Sequence, residues 1–177
     1  DRSKEVLISY FGRLNYNLNN RFLLTASMRA DASSKLNPDD QWGFFPALAL
    51  AYNVVNFGEG NGVFDELKVR IGYGEVGNVA SLSGRYDYLT RYEGGNSAAQ
   101  YQFGDSFYQT YRPEPSNSEL RWEVSETANL GLDFSLLDRR LTGSLNVYRK
   151  LTRDLIANSS VDPFTNFSNR ISKNIGN

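Results

Sequence analysis

Apolar and polar side chains alternate along six stretches of the chain, each roughly ten residues long. The stretch Arg21–Asp31 shows the pattern most clearly, with an apolar residue at every second position: Phe22, Leu24, Ala26, Met28 and Ala30. The other five stretches are Leu141–Thr152, Trp122–Phe134, Leu67–Gly74, and, less regularly, Val6–Tyr16 and Trp42–Val54. Because successive side chains of a strand point to opposite faces, the pattern predicts six β-strands, each with one apolar and one polar face.

The length of these stretches favours strands that cross a membrane. A tilted transmembrane strand needs about 9–11 residues, whereas a strand in a soluble sheet has no fixed length. Aromatic residues also concentrate near the strand ends, at two levels: Tyr16, Phe22, Tyr52 and Phe134 at one, and Phe44, Tyr73 and Trp122 at the other. Aromatic girdles of this kind flank the apolar band of outer-membrane barrels, although the ordinary strand preference of aromatics explains part of the pattern.

Short and long connections alternate between the strands. The short ones are Leu18–Asn20, Asn56–Glu66 and Ser135–Arg140, and the long ones are Ala32–Gln41, Gly77–Arg121 and Ala157–Lys173. Asn19-Asn20 and Asp138-Arg139 suit tight turns. Outer-membrane barrels have short periplasmic turns and long extracellular loops, so we expect Leu18–Asn20 on the periplasmic side.

Six strands cannot close a transmembrane barrel, because known single-chain barrels begin at eight and an open edge would leave unpaired backbone groups in lipid. We therefore expect residues 1–177 to be part of one larger, all-β, antiparallel barrel domain. The opening residues Asp1–Lys4 show no signal-peptide pattern and are typical of the interior of a longer protein.

Composition excludes several classes of function. The net charge of -1 leaves no basic field for nucleic acid, and no apolar run reaches the length of a transmembrane helix. The chain has no cysteine and no histidine, which removes thiolate chemistry, the usual general base and the commonest transition-metal ligand. We therefore expect no cofactor, no metal site and no enzymatic activity.

One sequence matches a nucleotide-binding pattern. Gly72-Tyr73-Gly74-Glu75-Val76-Gly77 fits G-x-G-x-x-G after a strand, but no amphipathic helix pattern follows it, as a phosphate site would require. We interpret these glycines as part of a barrel strand, where a neighbouring backbone comes close.

Seven motifs follow one another along the chain: Ser9–Tyr16, Arg21–Ser27, Trp42–Pro46, Leu67–Gly74 with Gly77-Asn78, Leu120–Glu123, Asn129–Phe134 and Tyr148–Leu155. In this order they resemble the SusC/RagA-type TonB-dependent outer-membrane transporters. The resemblance covers nearly the whole chain. It implies a 22-stranded barrel in the outer membrane of a Gram-negative bacterium, with a plug domain and a TonB box that lie outside this chain.

The resemblance also implies partners: outer-membrane lipid, the rest of the barrel with its plug, TonB, and a SusD-like surface lipoprotein that covers the barrel. Together they would import a bulky nutrient, a glycan or a peptide. The residues do not distinguish these substrates.

Two sets of residues are candidates for functional contacts. Five charged residues are predicted to face the lumen, either contacting cargo or forming salt bridges that fix the wall or dock the plug: Arg29, Asp31, Arg70, Glu123 and Asp133. Aromatic residues of the long loop are predicted to contact ligand or the lipoprotein: Tyr86, Tyr88, Tyr92, Tyr101, Phe103, Phe107, Tyr108 and Tyr111. Packing within the loop explains these rings equally well.

Two other classes of protein remain open. A soluble secreted β-sandwich that binds glycans would also show alternation and aromatic loops. A channel or autotransporter-like barrel without TonB would share the strands but lack a plug domain.

Overall fold

The computed structural model describes residues 4–55, 63–82, 86–96, 98, 100–162 and 170–176. All regular structure in these ranges is β-strand and turn. No helix long and apolar enough to cross a membrane occurs among the described residues. The predicted all-β antiparallel class is therefore confirmed.

Six long strands form one antiparallel sheet in the order β1-β2-β3-β4-β9-β10. Their bounds are β1 Leu7–Leu18, β2 Phe22–Ser33, β3 Trp42–Val55, β4 Phe64–Asn78, β9 Glu123–Leu136 and β10 Leu141–Arg153. Each strand pairs with the next long strand along the chain, so the sheet is a meander with a long insertion between β4 and β9.

Six short strands form three separate two-stranded antiparallel sheets, which we call hairpins. Within the β4–β9 insertion, β5 Arg91–Gly94 pairs with β8 Tyr111–Glu114, and β6 Gln100–Phe103 pairs with β7 Ser106–Gln109. After β10, β11 Leu155–Ser160 pairs with β12 Arg170–Ile175.

The six predicted strands correspond to the six strands of the large sheet. The prediction of Ala157–Lys173 as a loop is wrong at both of its ends, because backbone hydrogen bonds pair β11 with β12 there. The expected loop Gly77–Arg121 likewise contains the hairpins β5–β8 and β6–β7. Most of the connection Asn56–Glu66, including its glycine-rich Gly58–Gly62, lies outside the described residues.

The strand register gives the sheet one continuous apolar face. One row across all six strands contains Tyr16, Leu24, Leu50, Ile71, Leu130 and Val147. Nothing among the described residues covers this face, and Leu145 and Val147 are 64% and 71% exposed. The division of faces is not strict, since Phe11, Val76 and Tyr148 lie exposed on the polar face.

Tight turns close one end of the sheet. Asn19 and Asn20 both have positive φ, at 52° and 54°, and Arg21 N donates to Leu18 O at 3.0 Å. This is the two-residue turn with φ positive at both central positions that suits twisted hairpins, and asparagine tolerates that conformation. Arg140 N closes the second turn on Leu137 O at 3.1 Å.

The long strands have sufficient length for a membrane wall. The shortest of them has 12 residues, which extend about 40 Å at 3.3 Å per residue. At a tilt of about 45°, such a strand rises roughly 28 Å, slightly more than the apolar band of about 25 Å on outer-membrane barrels.

Candidate functional site

Two arginine–aspartate ion pairs lie on the polar face of the sheet. Within β2, Arg29 Nε donates to both carboxylate oxygens of Asp31, at 2.8 and 2.7 Å. Between β4 and β9, Arg70 Nε and Nη2 donate to the two oxygens of Asp133, at 2.7 and 2.8 Å. Paired charges of this geometry hold both side chains in place. These four predicted lumen residues thus share one face, and each is engaged by its partner.

A glycine lets the second pair reach a third strand. Arg70 Nη2 also donates to Asn146 Oδ1 on β10, at 3.1 Å. Gly131 of β9 pairs with both Arg70 and Asn146 in the register. A Cβ at Gly131 would stand 2.9 Å from Asn146 Oδ1 and 3.0 Å from Arg70 Cζ. The missing side chain therefore leaves room for a polar link across β4, β9 and β10.

A small apolar core lies at the end of the sheet opposite the tight turns. We call it the loop collar, and its six side chains are at most 7% exposed: Leu36, Phe45, Leu82, Leu120, Trp122 and Ile156. They come from the β2–β3 connection, from β3, from both ends of the β4–β9 insertion and from β11. The collar therefore fixes both ends of the long insertion to the sheet.

Trp122 contributes the largest side chain of the loop collar. Its ring packs edge-on against Phe45, with ring centroids 5.4 Å apart, and its Nε1 donates to the backbone oxygen of Gln41 at 2.9 Å. The prediction of Trp122 as an outward girdle residue is therefore wrong. The connecting loops fold over this end of β9 and bury the ring.

Glu123 has a structural role beside the loop collar. Its side chain is buried, and it accepts hydrogen bonds from Asn78 Nδ2 and from the backbone N of Ile156, both at 3.2 Å. The two carboxylate oxygens thus tie β4, β9 and β11 together. A buried carboxylate needs such partners, so Glu123 is not free to contact a cargo molecule.

The hairpins of the long insertion carry exposed aromatic rings. On β6–β7, Tyr101 lies directly opposite Tyr108, and Phe103 follows two residues later on the same face. These three rings are 63%, 57% and 70% exposed. Tyr92 and Tyr111 of β5–β8 are 69% and 66% exposed. Packing within the loop therefore does not account for these five rings.

The remaining rings of the set differ among themselves. Phe107 is 63% exposed and lies on the other face of β6–β7 from Tyr101. Tyr86 and Tyr88 pack edge-on against each other, with centroids 6.2 Å apart. Tyr86 and Tyr88 therefore pack within the loop.

Two ion pairs lie on the face of β5–β8 opposite Tyr92 and Tyr111. Arg91 Nε lies 3.2 Å from Glu114 Oε2, and Arg112 Nη2 lies 2.6 Å from Glu93 Oε2. The hydrogen bond and the charge of Glu93 raise the pKa of the Arg112 guanidinium above its ordinary value. The four side chains are between 36% and 54% exposed, so each pair contributes little to stability and can exchange partners.

A polar cleft of about 400 Å³, which we call the hairpin pocket, lies between this charged face and β11–β12. From β12 it receives Arg170 and Ser172, which share a face with Asn158 of β11 in the register. Ser172 Oγ donates to Asp87 Oδ2 at 3.1 Å, and Asn117 Nδ2 donates to Ser172 O at 3.0 Å. These two bonds fasten the base of the insertion to β12.

The sequence analysis missed the hairpin pocket. Its one local signal is the opposite order of charges in two short segments, Arg91 then Glu93 and Arg112 then Glu114, which allows antiparallel pairing. The contribution of β12 comes from more than 50 residues further along the chain, as the bond between Asn117 and Ser172 shows, and no local pattern reveals it. Across the described part of the chain, no cluster of acidic side chains is suited to hold a metal ion.

Comparison with known families decides the identity of the sheet. A family model described as "TonB dependent receptor-like, beta-barrel" matches residues 2–177. The chain belongs to the TonB-dependent receptor β-barrel family. The resemblance to SusC/RagA-type transporters is thereby confirmed, and the six-stranded sheet is part of a TonB-dependent receptor barrel.

Two relatives illustrate the similarity within this family. The chain is 42% identical over 176 residues to TonB-dependent receptor SusC of Bacteroides thetaiotaomicron, covering 98% of this chain and 17% of that protein. It is 34% identical over 184 residues to TonB-dependent receptor P39 of Formosa agariphila, covering 99% of this chain and 16% of the relative. The chain thus spans about one sixth of the length of these TonB-dependent receptors.

Solved structures share the same fold. The RagAB peptide importer in its closed-closed state superposes with a TM-score of 0.78 at 20% identity, over 96% of this chain and 18% of that one. The open-open state gives a TM-score of 0.76 at 21% identity, over 96% and 18%. The large sheet and its connections therefore have the architecture of a TonB-dependent receptor barrel wall.

Proposed function

We propose that this chain forms part of the wall and the extracellular surface of an outer-membrane transporter that imports a bulky nutrient, a glycan or a peptide. TonB would supply energy through a plug elsewhere in the whole protein, and a SusD-like lipoprotein would cover the extracellular side. The role is transport rather than catalysis. The observation that supports it most strongly is the continuous, uncovered apolar face on a sheet whose other face carries paired charges.

The two faces have different tasks in this proposal. The apolar face contacts lipid, and exposed residues such as Leu48, Ile71 and Leu145 need no protein partner there. On the other face, the Arg29–Asp31 and Arg70–Asp133 pairs line the lumen, where they hold the wall rigid and offer the plug a polar surface. A soluble β-sandwich would require a second sheet over the apolar face, and the described residues contain none.

The exposed rings of the hairpins would contact the cargo or the lipoprotein. Tyr101, Phe103 and Tyr108 form one aromatic face, and such rings can stack on sugar rings or on apolar peptide side chains. The loop collar holds the base of the insertion, so these rings project from a fixed support.

Uptake measurements in the source bacterium test the proposal. The gene for the whole protein is deleted, and uptake of fluorescent oligosaccharides and oligopeptides is compared with and without a protonophore. We expect uptake of one class to disappear on deletion, to return on complementation and to stop with the protonophore. Uptake of every probe at wild-type rate in the deletion strain would contradict the proposal.

A further inference from the structure

Arg170 differs from the other arginines of the hairpin pocket in having an unpaired side chain among the described residues. The pocket contains three arginines, and Arg91 and Arg112 are already paired with Glu114 and Glu93. Among the residues that the structure describes, the side chain of Arg170 has no ion-pair or hydrogen-bond partner. A guanidinium without a partner, in a cleft that already contains polar groups, is suited to bind an anionic group from outside.

The surroundings of Arg170 supply further polar groups. Asn158 lines the pocket from β11 and shares a face with Ser172 and Arg170 in the register. Ser172 Oγ lies within hydrogen-bond distance of both Asp87 Oδ2, at 3.1 Å, and Asn158 Oδ1, at 3.4 Å. The Asn158 amide can donate a hydrogen bond, so the β11–β12 side offers both a charge and a neutral donor.

The opposite wall can adapt to a charged ligand. The pairs Arg91–Glu114 and Arg112–Glu93 are partly exposed to solvent, so exchanging one partner for another costs little. Arginine presents a planar fork that matches a carboxylate with two parallel hydrogen bonds. Asp87, Glu93 and Glu114 also line the pocket, so a carboxylate that enters would find one unpaired guanidinium, Arg170, and would share the other two arginines with their glutamate partners.

We propose that the hairpin pocket binds a carboxylate group of the imported nutrient, with Arg170 as its principal ligand. This inference rests on the proposed transport function and defines its substrate class as carboxylate-bearing. The carboxylate can belong to a uronic acid residue of a glycan or to the terminus or an acidic side chain of a peptide.

The test measures binding by the purified whole transporter, together with its surface lipoprotein, in detergent. One pair of probes is hexagalacturonate and its fully methyl-esterified form, and the other is a hexapeptide of otherwise neutral side chains with a free or an amidated C-terminus. Within each pair only the carboxylates differ. The pair that binds identifies the source of the carboxylate.

The variant Arg170→Gln removes the charge and keeps a polar side chain. We expect its affinity for the carboxylate form of the bound pair to fall at least tenfold, and Arg170→Lys to give a smaller loss. Lys173→Gln is the matched control, because it removes one positive charge from the same strand. Lys173 pairs with Ala157 and thus lies on the other face of β11–β12 from Ser172. This control should keep wild-type affinity.

Three results would overturn the inference: no binding of either carboxylate probe, equal affinity for a carboxylate and its neutral partner, or unchanged affinity in Arg170→Gln. The protonophore-sensitive uptake described above is measured separately. Persistent nutrient uptake alongside any of these results would reject the carboxylate site and leave the transport function standing. Heat-dependent gel mobility of each variant confirms that the barrel has folded.

Discussion

Replacing Trp122 by alanine should release the loop collar without unfolding the sheet. Trp122 is 7% exposed, packs on Phe45 and donates to Gln41 O. Loss of a buried tryptophan side chain costs about 3–5 kcal/mol where the cavity does not collapse. Because about 1.4 kcal/mol corresponds to a factor of ten, the open population of the collar should rise roughly 100- to 4,000-fold.

Hydrogen exchange on the whole protein in detergent measures this opening. The sensitive amides are Leu36 N, bonded to Ser33 O at 3.3 Å, and Leu82 N, bonded to Val79 O at 3.2 Å. We expect the exchange rates of both amides to rise by the same factor as the open population of the collar, because exchange follows the open population when closing is fast. Amides in the middle of β9 should keep their wild-type protection.

Trp42→Ala is the matched control, since it removes the same side chain from the other tryptophan. Trp42 is 42% exposed and stacks on Tyr10, outside the loop collar. We expect less than about a tenfold change at the two collar amides. Unchanged exchange in Trp122→Ala, or an equal change in both variants, would refute the role assigned to the collar.

Two further substitutions test packing and face assignment. In Gly77→Ala the new Cβ would overlap Phe45 Cζ, so we expect the free energy of unfolding, measured in urea, to fall by about 1–3 kcal/mol. Gly12→Ala, with nothing within 4 Å of the new Cβ, should change that free energy by less than about 0.5 kcal/mol. Equal effects of the two substitutions would contradict the packing of Phe45. Leu145→Lys places a charge on the apolar face and should cost about 2–4 kcal/mol in lipid vesicles. Its neighbour Ser144→Lys, on the polar face opposite Asp133, should be tolerated, and the reverse order would contradict the assigned faces.

The large sheet was predictable because its signal is local. Alternation with a period of two is visible within each strand, and the turn residues Asn19-Asn20 mark a reversal by their own chemistry. The predicted bounds of β10 differ from the observed ones by a single residue at Arg153. Both signals depend on neighbours within a few positions, so one sequence contains them in full.

The predicted end of β4 was too early for a physical reason. The strand continues from Gly74 to Asn78, but Glu75 stands on the apolar face and Val76 on the polar face, which reverses the alternation. Glu75 pairs with Glu126 in the register, and Arg153 of β10 forms ion pairs with both carboxylates. The ion pairs of Arg153 link β4, β9 and β10, and no local sequence pattern indicates them.

The collar and the pocket depend on contacts between distant segments. The alternation along β9 places Trp122 among its apolar positions, so the ring was expected to face outward. Instead the β2–β3 connection folds against it. The hairpin pocket combines the β4–β9 insertion with β12 across more than 50 residues. Placing loops relative to one another requires the tertiary structure, whereas the strands that support them do not.

The most direct test of the central claim is to measure which side of β10 contacts lipid. Single cysteines are placed at each position from 141 to 152 of the whole protein, spin-labelled and examined in lipid vesicles with oxygen and with a water-soluble nickel complex. We expect oxygen accessibility to peak at 141, 143, 145 and 147, and nickel accessibility at the even positions between them. Nickel accessibility at every position, without a period of two, would contradict the assignment of this chain to a membrane wall.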